Sequence, residues 1–458
     1  MNRLIFLLLS CYWLSLPITN ASAQRPAPEK RSFRSEAVDK KIREMESLLR
    51  SYDERLWQMF QSCYPNTLDT TVRYQRDEKG DDDTFVITGD IEAMWLRDSG
   101  AQVWPYMRFL KSDEHLRHMV RGLLRRQFRY ITIDPYANAF NFGETGSEWQ
   151  TDQTDMKPIL HERKYEIDSL CYPLRLAFEY WLLTGDDSIF DQTWLEAVGQ
   201  ILRVFREQQR RGGNKTSYTF LRKTSAMHDT TANYGYGNPA RPCGLIASFF
   251  RPSDDACILP FLVPSNFFAA SVLRKAAVIL TDVNHNDPLA RECRALAEEV
   301  TVALQEHAVV EHPLFGRVYA FEVDGFGGHI MMDDANAPSL LSLPYLCDVQ
   351  ADDVIYQNTR RMVWSEWNPY FFRGTSAEGI GSQHTGLDQI WPMSIIMKGL
   401  TSADREEQRQ CIAQLLRTDG GKGLMHESFD KDNPAKFTRS WFAWANGLFG
   451  ELVLRAFE

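Results

Sequence analysis

Helical periodicity recurs along nearly the whole chain, and this feature constrains the fold more than any other. Over residues 36–62, apolar side chains follow one another at steps of three and four residues, with charged side chains between them. Similar patterns predict helices over residues 99–110, 113–130, 167–184, 190–210, 265–282, 287–306, 351–361, 384–400, 404–417 and 438–456. Alternating apolar and polar runs are few, for example at residues 85–87 and 317–321. The sequence therefore predicts an all-α protein of about a dozen helices.

Long irregular segments separate the predicted helices. They are rich in Gly, Asn, Asp, Trp and Tyr, and they cover residues 133–160, 225–260, 322–345, 363–383 and 418–437. Loops of this length inside a compact domain usually have a function. A ring of helical hairpins, the (α/α)6 barrel, would gather such loops at one end around a central pit. Helices and loops alone also allow an open solenoid.

The N-terminus has the pattern of a secretory signal. Arg3 precedes an apolar run that is too short for a permanent membrane span, and the small residues Ala21-Ser22-Ala23 follow it. We therefore expect residues 1–23 to be a cleaved signal peptide and the mature protein to be periplasmic or secreted. The alternatives are a lipoprotein signal, which would place a lipid anchor on Cys11, and an ordinary buried first helix.

The rest of the chain is expected to form one domain. Residues 24–35 are polar and contain prolines, which predicts a disordered lead-in. No Gly/Ser-rich or Pro-rich linker interrupts residues 36–458, which we expect to be a single catalytic domain. No later stretch is expected to span a membrane, and the chain is expected to act as a monomer.

Charge and cysteine content exclude several classes of partner. The net charge of −10 argues against nucleic acid or an anionic membrane as the partner. Apart from Cys11, seven cysteines are widely spaced and none forms a CxxC pair, which argues against a zinc-ribbon site. Several lie in apolar runs, which predicts buried thiols; whether one disulfide forms is left open.

Five loops combine aromatic, acidic and glycine residues, and these are the residue types that bind a sugar. Sugar C–H faces stack on aromatic rings, while sugar hydroxyls bind Asp, Asn, Arg and His side chains. The loops are residues 93–100, 251–256, 325–338, 379–386 and 424–428. For Asp98 the alternative role is a helix N-cap. The loop with His384 is expected to open a helix.

The chemistry of acetal hydrolysis limits the candidate catalytic residues to carboxyls. One carboxylic acid must protonate the leaving oxygen, and a second carboxylate must attack or activate water. Asp254 or Asp255 and the distant Glu427 could face each other across a ring of hairpins. Adjacent residues point in different directions, so at most one of the two aspartates faces the reacting atom. The alternative for each carboxyl is a surface or capping role.

Other catalytic classes lack their sequence signatures. His426-Glu427 does not have the HExxH spacing of zinc proteases, and Asp333-Asp334 is not part of an EF-hand pattern. No G-x-S-x-G elbow and no glycine-rich nucleotide loop is present. We therefore expect no metal and no cofactor.

Several long segments closely resemble glycoside hydrolase family 125. They occur in the same order as in the family, between about residue 36 and the C-terminus. They are MWLRDSGAQVWPY, SLCYPLRLAFEYW, FRPSDDACILPFLVPSN, DGFGGHIMMDDANAPSLLSLPYL, GIGSQHTG, IWPMSIIMKGLTS and GLMHESFDKDNPAKFTRSWFAWANGLFGEL. The resemblance implies an (α/α)6 barrel and a metal-independent, inverting, exo-acting α-1,6-mannosidase. Its substrate would be a mannose-containing oligosaccharide or N-glycan.

The resemblance also implies roles for individual residues. The general acid maps onto Asp254 or Asp255, with a slight preference for Asp254, and the general base maps onto Glu427. We expect a raised pKa for the acid. The residues implied for the terminal mannose subsite are Trp95, Arg97, Asp98, Asp334, Asn336, His384 and Arg439. Two other functions fit the loops: a related glycosidase for α-glucosides or rhamnosides, and a secreted glycan-binding protein without catalysis.

Overall fold

The computed structural model of the protein describes residues 25–458 and is built mainly from helices. In this part of the chain the α-helices are α1 Glu36–Tyr52, α2 Glu54–Cys63, α3 Asn66–Thr70, α4 Leu96–Val103, α5 Glu114–Ile133, α6 Ile167–Thr184, α7 Gln192–Gln208, α8 Val263–Asp282, α9 Asp287–His307, α10 Leu343–Leu346, α11 Val354–Val363, α12 Pro392–Leu400, α13 Arg405–Leu416 and α14 Ala443–Phe457. The prediction of a helix-rich protein is therefore confirmed.

The single helix predicted over residues 36–62 is wrong, because Asp53 divides it into α1 and α2. The Asp53 backbone is extended, with φ at −161°, and its carboxylate accepts hydrogen bonds from the amides of Arg55 at 2.7 Å and Leu56 at 3.2 Å. This is an N-cap, which starts a new helix. The apolar periodicity continues through the break, so the pattern did not reveal it.

The helix predicted over residues 384–400 begins only at Pro392. The preceding residues form turns and a short strand, and Asp388 has a left-handed backbone with φ at 64°. Proline at the first helical position has no amide hydrogen to leave unpaired, which favours a start there. His384 therefore lies in a loop and does not open a helix, contrary to the prediction.

The helices pack around one large hydrophobic core. Helix α4 contacts α6, α6 contacts α8, α12 contacts α14, and α14 contacts α4. Helices α5, α9 and α13 pack against α6, α8 and α12, and α2 packs against α14. Helices α6, α8 and α14 bury nearly all of their side chains along most of their length, as expected for helices covered on several sides.

Short strands hold the loops between the helices. In residues 25–458 they are β1 Val72–Arg76, β2 Asp82–Val86, β3 Met94–Trp95, β4 Ala139–Phe140, β5 Leu160–Glu162, β6 Phe261–Leu262, β7 Val309–His312, β8 Gly316–Tyr319, β9 Glu322–Val323, β10 His329–Ile330, β11 Phe371–Arg373, β12 Glu378–Ile380, β13 Gln389–Ile390 and β14 Phe429–Asp430. Antiparallel pairs join β1 to β2, β7 to β8, β11 to β12 and β13 to β14. The orders β3-β4-β5 and β10-β9-β6 complete the sheets.

The segment predicted as a disordered lead-in has defined contacts from residue 25 onward. Arg25 forms ion pairs with Asp69 at 2.6 Å and with Asp39 at 2.7 Å. The side chain of Phe33 is buried and stacks on His115, with ring centroids 4.3 Å apart. The prediction of disorder is therefore wrong for residues 25–35, because composition did not reveal these partners. The predicted signal peptide and Cys11 lie outside the described residues.

One helix in residues 25–458, α8, is long and apolar enough to cross a membrane, by length and composition. This differs from the expectation that no later stretch would qualify. Of its most apolar window, 78% is buried inside the protein, as in the core helix of a globular domain. The seven cysteines that the structure describes are free thiols: Cys63, Cys171, Cys243, Cys257, Cys293, Cys347 and Cys411.

Candidate active site

A small cavity lies where several helices begin. Its wall includes residues at or just before the N-termini of α4, α12 and α14. Eight of the predicted site residues line it: Trp95, Arg97, Asp98, Asp254, Asn336, His384, Glu427 and Arg439. The two carboxyls proposed from the sequence to face each other, those of Asp254 and Glu427, therefore share one cavity.

Asp254 lies in a tight loop that forces an unusual backbone conformation. Its φ is 66°, in the left-handed region that non-glycine residues rarely adopt. The loop is closed by a bridge between Phe250 and Ala256 and by the hydrogen bonds Arg251 N to Asp255 O at 2.8 Å and Asp254 N to Arg251 O at 2.9 Å. Such backbone strain is common at functional sites. Here it separates the directions of two adjacent aspartates.

Two cationic side chains, those of Arg97 and Lys164, contact Asp254. Arg97 Nη2 donates to Asp254 Oδ1 at 3.3 Å, and Lys164 Nζ donates to the Asp254 carbonyl at 2.9 Å. Burial raises the pKa of the Asp254 carboxyl, but the charges of Arg97 and Lys164 outweigh it and hold that pKa well below its usual range. The expectation of a raised pKa for the acid is therefore wrong for Asp254 in the free protein.

Arg97 is buried among four carboxyls. Its guanidinium forms ion pairs with Asp98, Asp168 and Asp254, each at 3.3 Å, and a close hydrogen bond with Glu166. Burial raises the pKa of Asp98, although the Arg97 charge opposes this. One guanidinium cannot neutralise four carboxylates, so burial favours protonation of at least one of them.

Asp255 points away from the cavity. It is almost fully buried, and its Oδ2 accepts a hydrogen bond from the Ser253 hydroxyl at 2.8 Å. Its Oδ1 lies 3.7 Å from His228 Nε2 and 3.6 Å from His384 Nδ1. Of the two adjacent aspartates, only Asp254 lines the cavity.

His384 carries a positive charge at neutral pH. Burial lowers its pKa, but the hydrogen bond and charge of Asp255, followed by the charges of Asp254 and Glu427, raise the pKa to about 9. The imidazolium can therefore donate a hydrogen bond into the cavity. Its electrostatic interaction with both Asp254 and Glu427 indicates that the three side chains are close to one another.

Glu427 has a simpler environment on the other side of the cavity. Its Oε2 accepts a hydrogen bond from the Thr438 hydroxyl at 2.8 Å, and its Oε1 lies 3.3 Å from Arg439 Nε. Arg439 also forms an ion pair with Asp90 at 3.3 Å. Strands β13 and β14 pair beside this loop and hold it next to the loop of His384. The two oxygens of Glu427 are therefore held by a hydroxyl donor and a cation.

Two predicted site residues, Asp255 and Asp334, do not line the cavity. The Oδ1 of Asp334 accepts hydrogen bonds from the Asn336 amide at 2.9 Å and the Asn336 side chain at 3.1 Å, and its Oδ2 accepts one from the Ser382 hydroxyl at 2.7 Å. Asp334 therefore orients Asn336, which does line the cavity. Asp98 is in the first turn of α4 and is not its N-cap, which is Trp95.

Comparison with known proteins identifies the chain. Residues 53–454 match the model of the family described as metal-independent alpha-mannosidase, GH125. The chain belongs to this family. It is therefore a glycoside hydrolase and an α-mannosidase. Within the described part of the chain, no group of three His, Cys, Asp or Glu side chains is arranged to hold a metal ion.

Relatives of this GH125 protein include a eukaryotic protein and a bacterial structure. The chain is 42% identical to the meiotically up-regulated gene 157 protein of Schizosaccharomyces pombe, over 95% of this chain and 88% of that protein. It is 41% identical to a metal-independent α-mannosidase from Streptococcus pneumoniae, solved as a non-productive complex with α-1,6-mannobiose. That match has a TM-score of 0.88 and covers 93% of this chain and 99% of the other.

A bacterial glucoamylase solved with acarbose shares the fold. Its TM-score is 0.52 at 12% identity, covering 88% of this chain and 55% of the other. At this identity the similarity concerns the fold alone. The α-mannosidase therefore shares a helix-rich fold with that protein.

Several residues around the cavity were not predicted from sequence. Trp391, Phe442 and Trp444 complete its aromatic wall. Glu166 and Asp168, behind Arg97, were missed altogether. A signal for them was present, since both carboxyls stand at the start of the strongly apolar helix α6, where a buried charge needs a partner.

Proposed function

We propose that the protein is an exo-acting, inverting α-1,6-mannosidase that releases terminal mannose from the non-reducing ends of glycans. The observation that carries this proposal is the small cavity shared by Asp254 and Glu427. The cavity is small and combines aromatic with charged and polar side chains, which supports a site for one terminal sugar. The α-1,6-mannobiose bound to the Streptococcus pneumoniae relative supports the linkage.

The fold that places these groups is proposed to be the (α/α)6 barrel predicted from the sequence. Helices α4, α6, α8, α10, α12 and α14 would form the inner ring, since α8 also contacts α10. The helices packed outside them would form the outer ring. Such a ring directs the inner N-termini to one end, as seen for α4, α12 and α14 at the cavity.

The roles of the two carboxyls follow from their surroundings. Asp254 is proposed as the general acid, because it lines the cavity while Asp255 is turned away to His384 and Ser253. Glu427 is proposed as the general base, because it lines the same cavity as Asp254 and its oxygens are oriented by Thr438 and Arg439. In an inverting enzyme the two carboxyls stand roughly 6.5–9.5 Å apart, which leaves room for the attacking water.

Polar atoms in the wall with unused hydrogen-bonding capacity are proposed to bind the sugar hydroxyls. Trp95 Nε1 is buried without a hydrogen-bond partner among residues 25–458, and the buried Asp98 Oδ2 has only its ion pair with Arg97. Both residues line the cavity, so a sugar would complete their hydrogen bonding. His384 and Asn336 would add further polar contacts, and the aromatic wall would cover the C–H faces of the ring.

The protein is also proposed to act outside the cytoplasm as a monomer. The N-terminal pattern of residues 1–23 supports export. Mass spectrometry of the chain after expression in a secreting host tests this, and a mature start at Gln24 is expected. A start at a lipidated Cys11 would indicate a membrane-anchored protein instead.

The activity test is mannose release from α-1,6-mannobiose with a chelator present. We expect full activity with the chelator and much weaker activity on α-1,2- and α-1,3-mannobiose and on aryl α-glucosides and α-rhamnosides. Faster cleavage of a glucoside or rhamnoside would favour the related glycosidase. A protein that binds mannosides without hydrolysing any of them would contradict the enzymatic function.

A further inference from the structure

The carboxyl of Glu166 faces that of Asp254 from inside the protein. The Glu166 side chain is fully buried, and Arg97 holds both carboxyls on one guanidinium, with Nη1 on Glu166 Oε2 and Nη2 at 3.3 Å from Asp254 Oδ1. A hydrogen bond between the two carboxyls is among the causes that raise the pKa of Glu166 and lower that of Asp254. Glu166 Oε2 is occupied by Arg97 and by the Ser169 hydroxyl at 2.7 Å. Its Oε1 is buried and has no other partner in the described chain. Two carboxylates cannot hydrogen-bond to each other unless one of them is protonated.

The charges around this pair favour such a proton. Asp98 and Asp168 add two more carboxyls, and the Cys257 thiol lies near Glu166. The cations that face the pair are Arg97, Lys164 and His384. Lys164 and His384 are shared with other carboxyls: Lys164 pairs with Asp229 at 2.6 Å and Glu162 at 3.4 Å, and His384 with Asp255.

Burial and the neighbouring carboxyls Asp254 and Asp168 raise the pKa of Glu166 well above its usual value, although Arg97 opposes them. The direction is opposite for Asp254, whose pKa Arg97 and Lys164 lower against the effect of burial. Alone beside these cations, Asp254 would be ionised at neutral pH and a poor acid. The proton of the pair is therefore held mainly by Glu166.

We propose that Glu166 and Asp254 hold one proton between them, and that Glu166 is the positioning residue that keeps the general acid supplied with it. This inference rests on the proposed function of Asp254. When the glycosidic oxygen arrives, the Glu166 O–H bond breaks as the Asp254 O–H bond forms. The proton moves on to the leaving oxygen, which also takes the electron pair of the breaking C1–O bond.

The rest of the cycle restores the proton. Water attacks C1 while Glu427 takes a proton from that water. Glu427 then releases its proton to solvent, and the Glu166–Asp254 pair takes one up. Glu166 remains in contact with Arg97 and Ser169 throughout, so its carboxylate is stabilised during the interval without a proton.

The test replaces Glu166 by Gln and compares two substrates. α-1,6-Mannobiose has a poor leaving group that needs protonation. The leaving group of 2,4-dinitrophenyl α-mannoside, 2,4-dinitrophenolate, departs without protonation. For E166Q at pH 7 we expect kcat/KM to fall about 10- to 100-fold on mannobiose and by less than about 3-fold on the aryl mannoside. We also expect a change in the ratio of kcat/KM on mannobiose to kcat/KM on the aryl mannoside. As pH rises, this ratio should begin to fall at a pH at least about one unit lower in E166Q than in the wild type.

The ratio removes effects on binding that both substrates share, including the titration of His384. Asp168→Asn is the matched control, because Asp168 also contacts Arg97 and the substitution likewise replaces a buried carboxyl by an amide. We expect D168N to lower both substrates to a similar extent. Equal losses on both substrates for E166Q, with an unshifted ratio, would overturn the proposal.

Two further variants keep the test decisive. For D254N, kcat/KM must fall far more on mannobiose than on the aryl mannoside. If it does not, Asp254 is not the general acid, and the proposed function of Asp254 fails together with the shared proton. If E166Q does not fold, Glu166→Asp keeps a carboxyl but withdraws it by one methylene. The proposal then expects a smaller but still substrate-selective loss, and an equal loss on both substrates contradicts it.

Discussion

The two sides of the cavity treat their carboxyls in opposite ways. Asp254 belongs to a buried cluster in which carboxyls outnumber the cations that face them. Glu427 has one hydroxyl donor and one arginine, and that arginine is partly exposed. The first arrangement is the one proposed to retain a proton, whereas the second gives one carboxyl a hydroxyl donor and a cation. Acid and base are thus separated by their surroundings rather than by their own chemistry.

The comparison shows that the arginine beside the proposed acid is buried more deeply than the arginine beside the proposed base. Arg97 is 4% exposed and Arg439 is 27% exposed, so the acid side is built inside the core while the base side is built on a loop. Substitutions on the acid side should therefore lower the stability of the folded protein more than substitutions on the base side. The base side should affect catalysis with little effect on folding.

The largest expected effect is the loss of the base. Glu427→Gln removes the proton acceptor for the attacking water, and every substrate needs that water. We expect kcat to fall about 1,000-fold or more on both mannobiose and 2,4-dinitrophenyl α-mannoside, with an unchanged melting temperature. Near-normal turnover by E427Q would remove Glu427 from the mechanism. A loss confined to mannobiose would exchange the roles of the two sides.

The next effect is on stability, and it compares the two arginines. Arg97→Met leaves buried carboxyls without their cation, so we expect the free energy of unfolding to fall by about 3–5 kcal/mol at pH 7. Arg439→Met, at a partly exposed pair, should cost about 1 kcal/mol or less. Denaturant unfolding of both variants measures this. Similar costs would show that the two sides do not differ in burial of charge.

A smaller effect is expected for the hydroxyl that orients the base. Thr438→Val keeps the shape but removes the 2.8 Å hydrogen bond to Glu427. We expect kcat to fall about 10-fold, which corresponds to a hydrogen bond to a charged group. Thr438→Ser retains the hydroxyl and is the control, with near wild-type turnover expected. Equal losses for both variants would show that the hydroxyl does not orient Glu427.

The smallest effect concerns His384 and pH. Its pKa is raised to about 9, so its charge stabilises the folded protein below the unfolded value of about 6.5, and this contribution is lost as pH rises through about 9. Its side chain is 36% exposed, and we therefore expect at most about 1 kcal/mol. Unfolding at pH 6 and pH 10 should show this loss in the wild type and not in His384→Gln. The same loss in both proteins would assign it to other groups.

Long helices with clear ends were predictable from sequence. Helix α6 has the predicted bounds of 167 and 184, because an apolar run ends at Gly185, which adopts the left-handed conformation that closes a helix. The break at Asp53 was not predictable from periodicity, since the apolar spacing continues across it. The segment that starts at His384 was misassigned because it contains β13, whose pairing partner β14 lies far along the chain.

The residue types that line the site were predictable from sequence, but the buried contacts behind them were not. Trp95, Arg97 and Glu427 lie in the loops that combine aromatic and charged residues, so sequence reasoning found them. The choice between Asp254 and Asp255 depended on a strained loop that only the structure shows. The apolar helix α6 indicated that Glu166 needs a partner but not which one, because its proposed role depends on a carboxyl that lies 88 residues away in the chain.

The most direct test of the central claim, that Asp254 and Glu427 act on opposite faces of C1 with a water between them, is proton NMR of the first-formed sugar. Cleavage of α-1,6-mannobiose should release β-mannose before mutarotation mixes the anomers. Initial release of α-mannose would contradict the account, because it requires two displacements at C1 and a covalent intermediate.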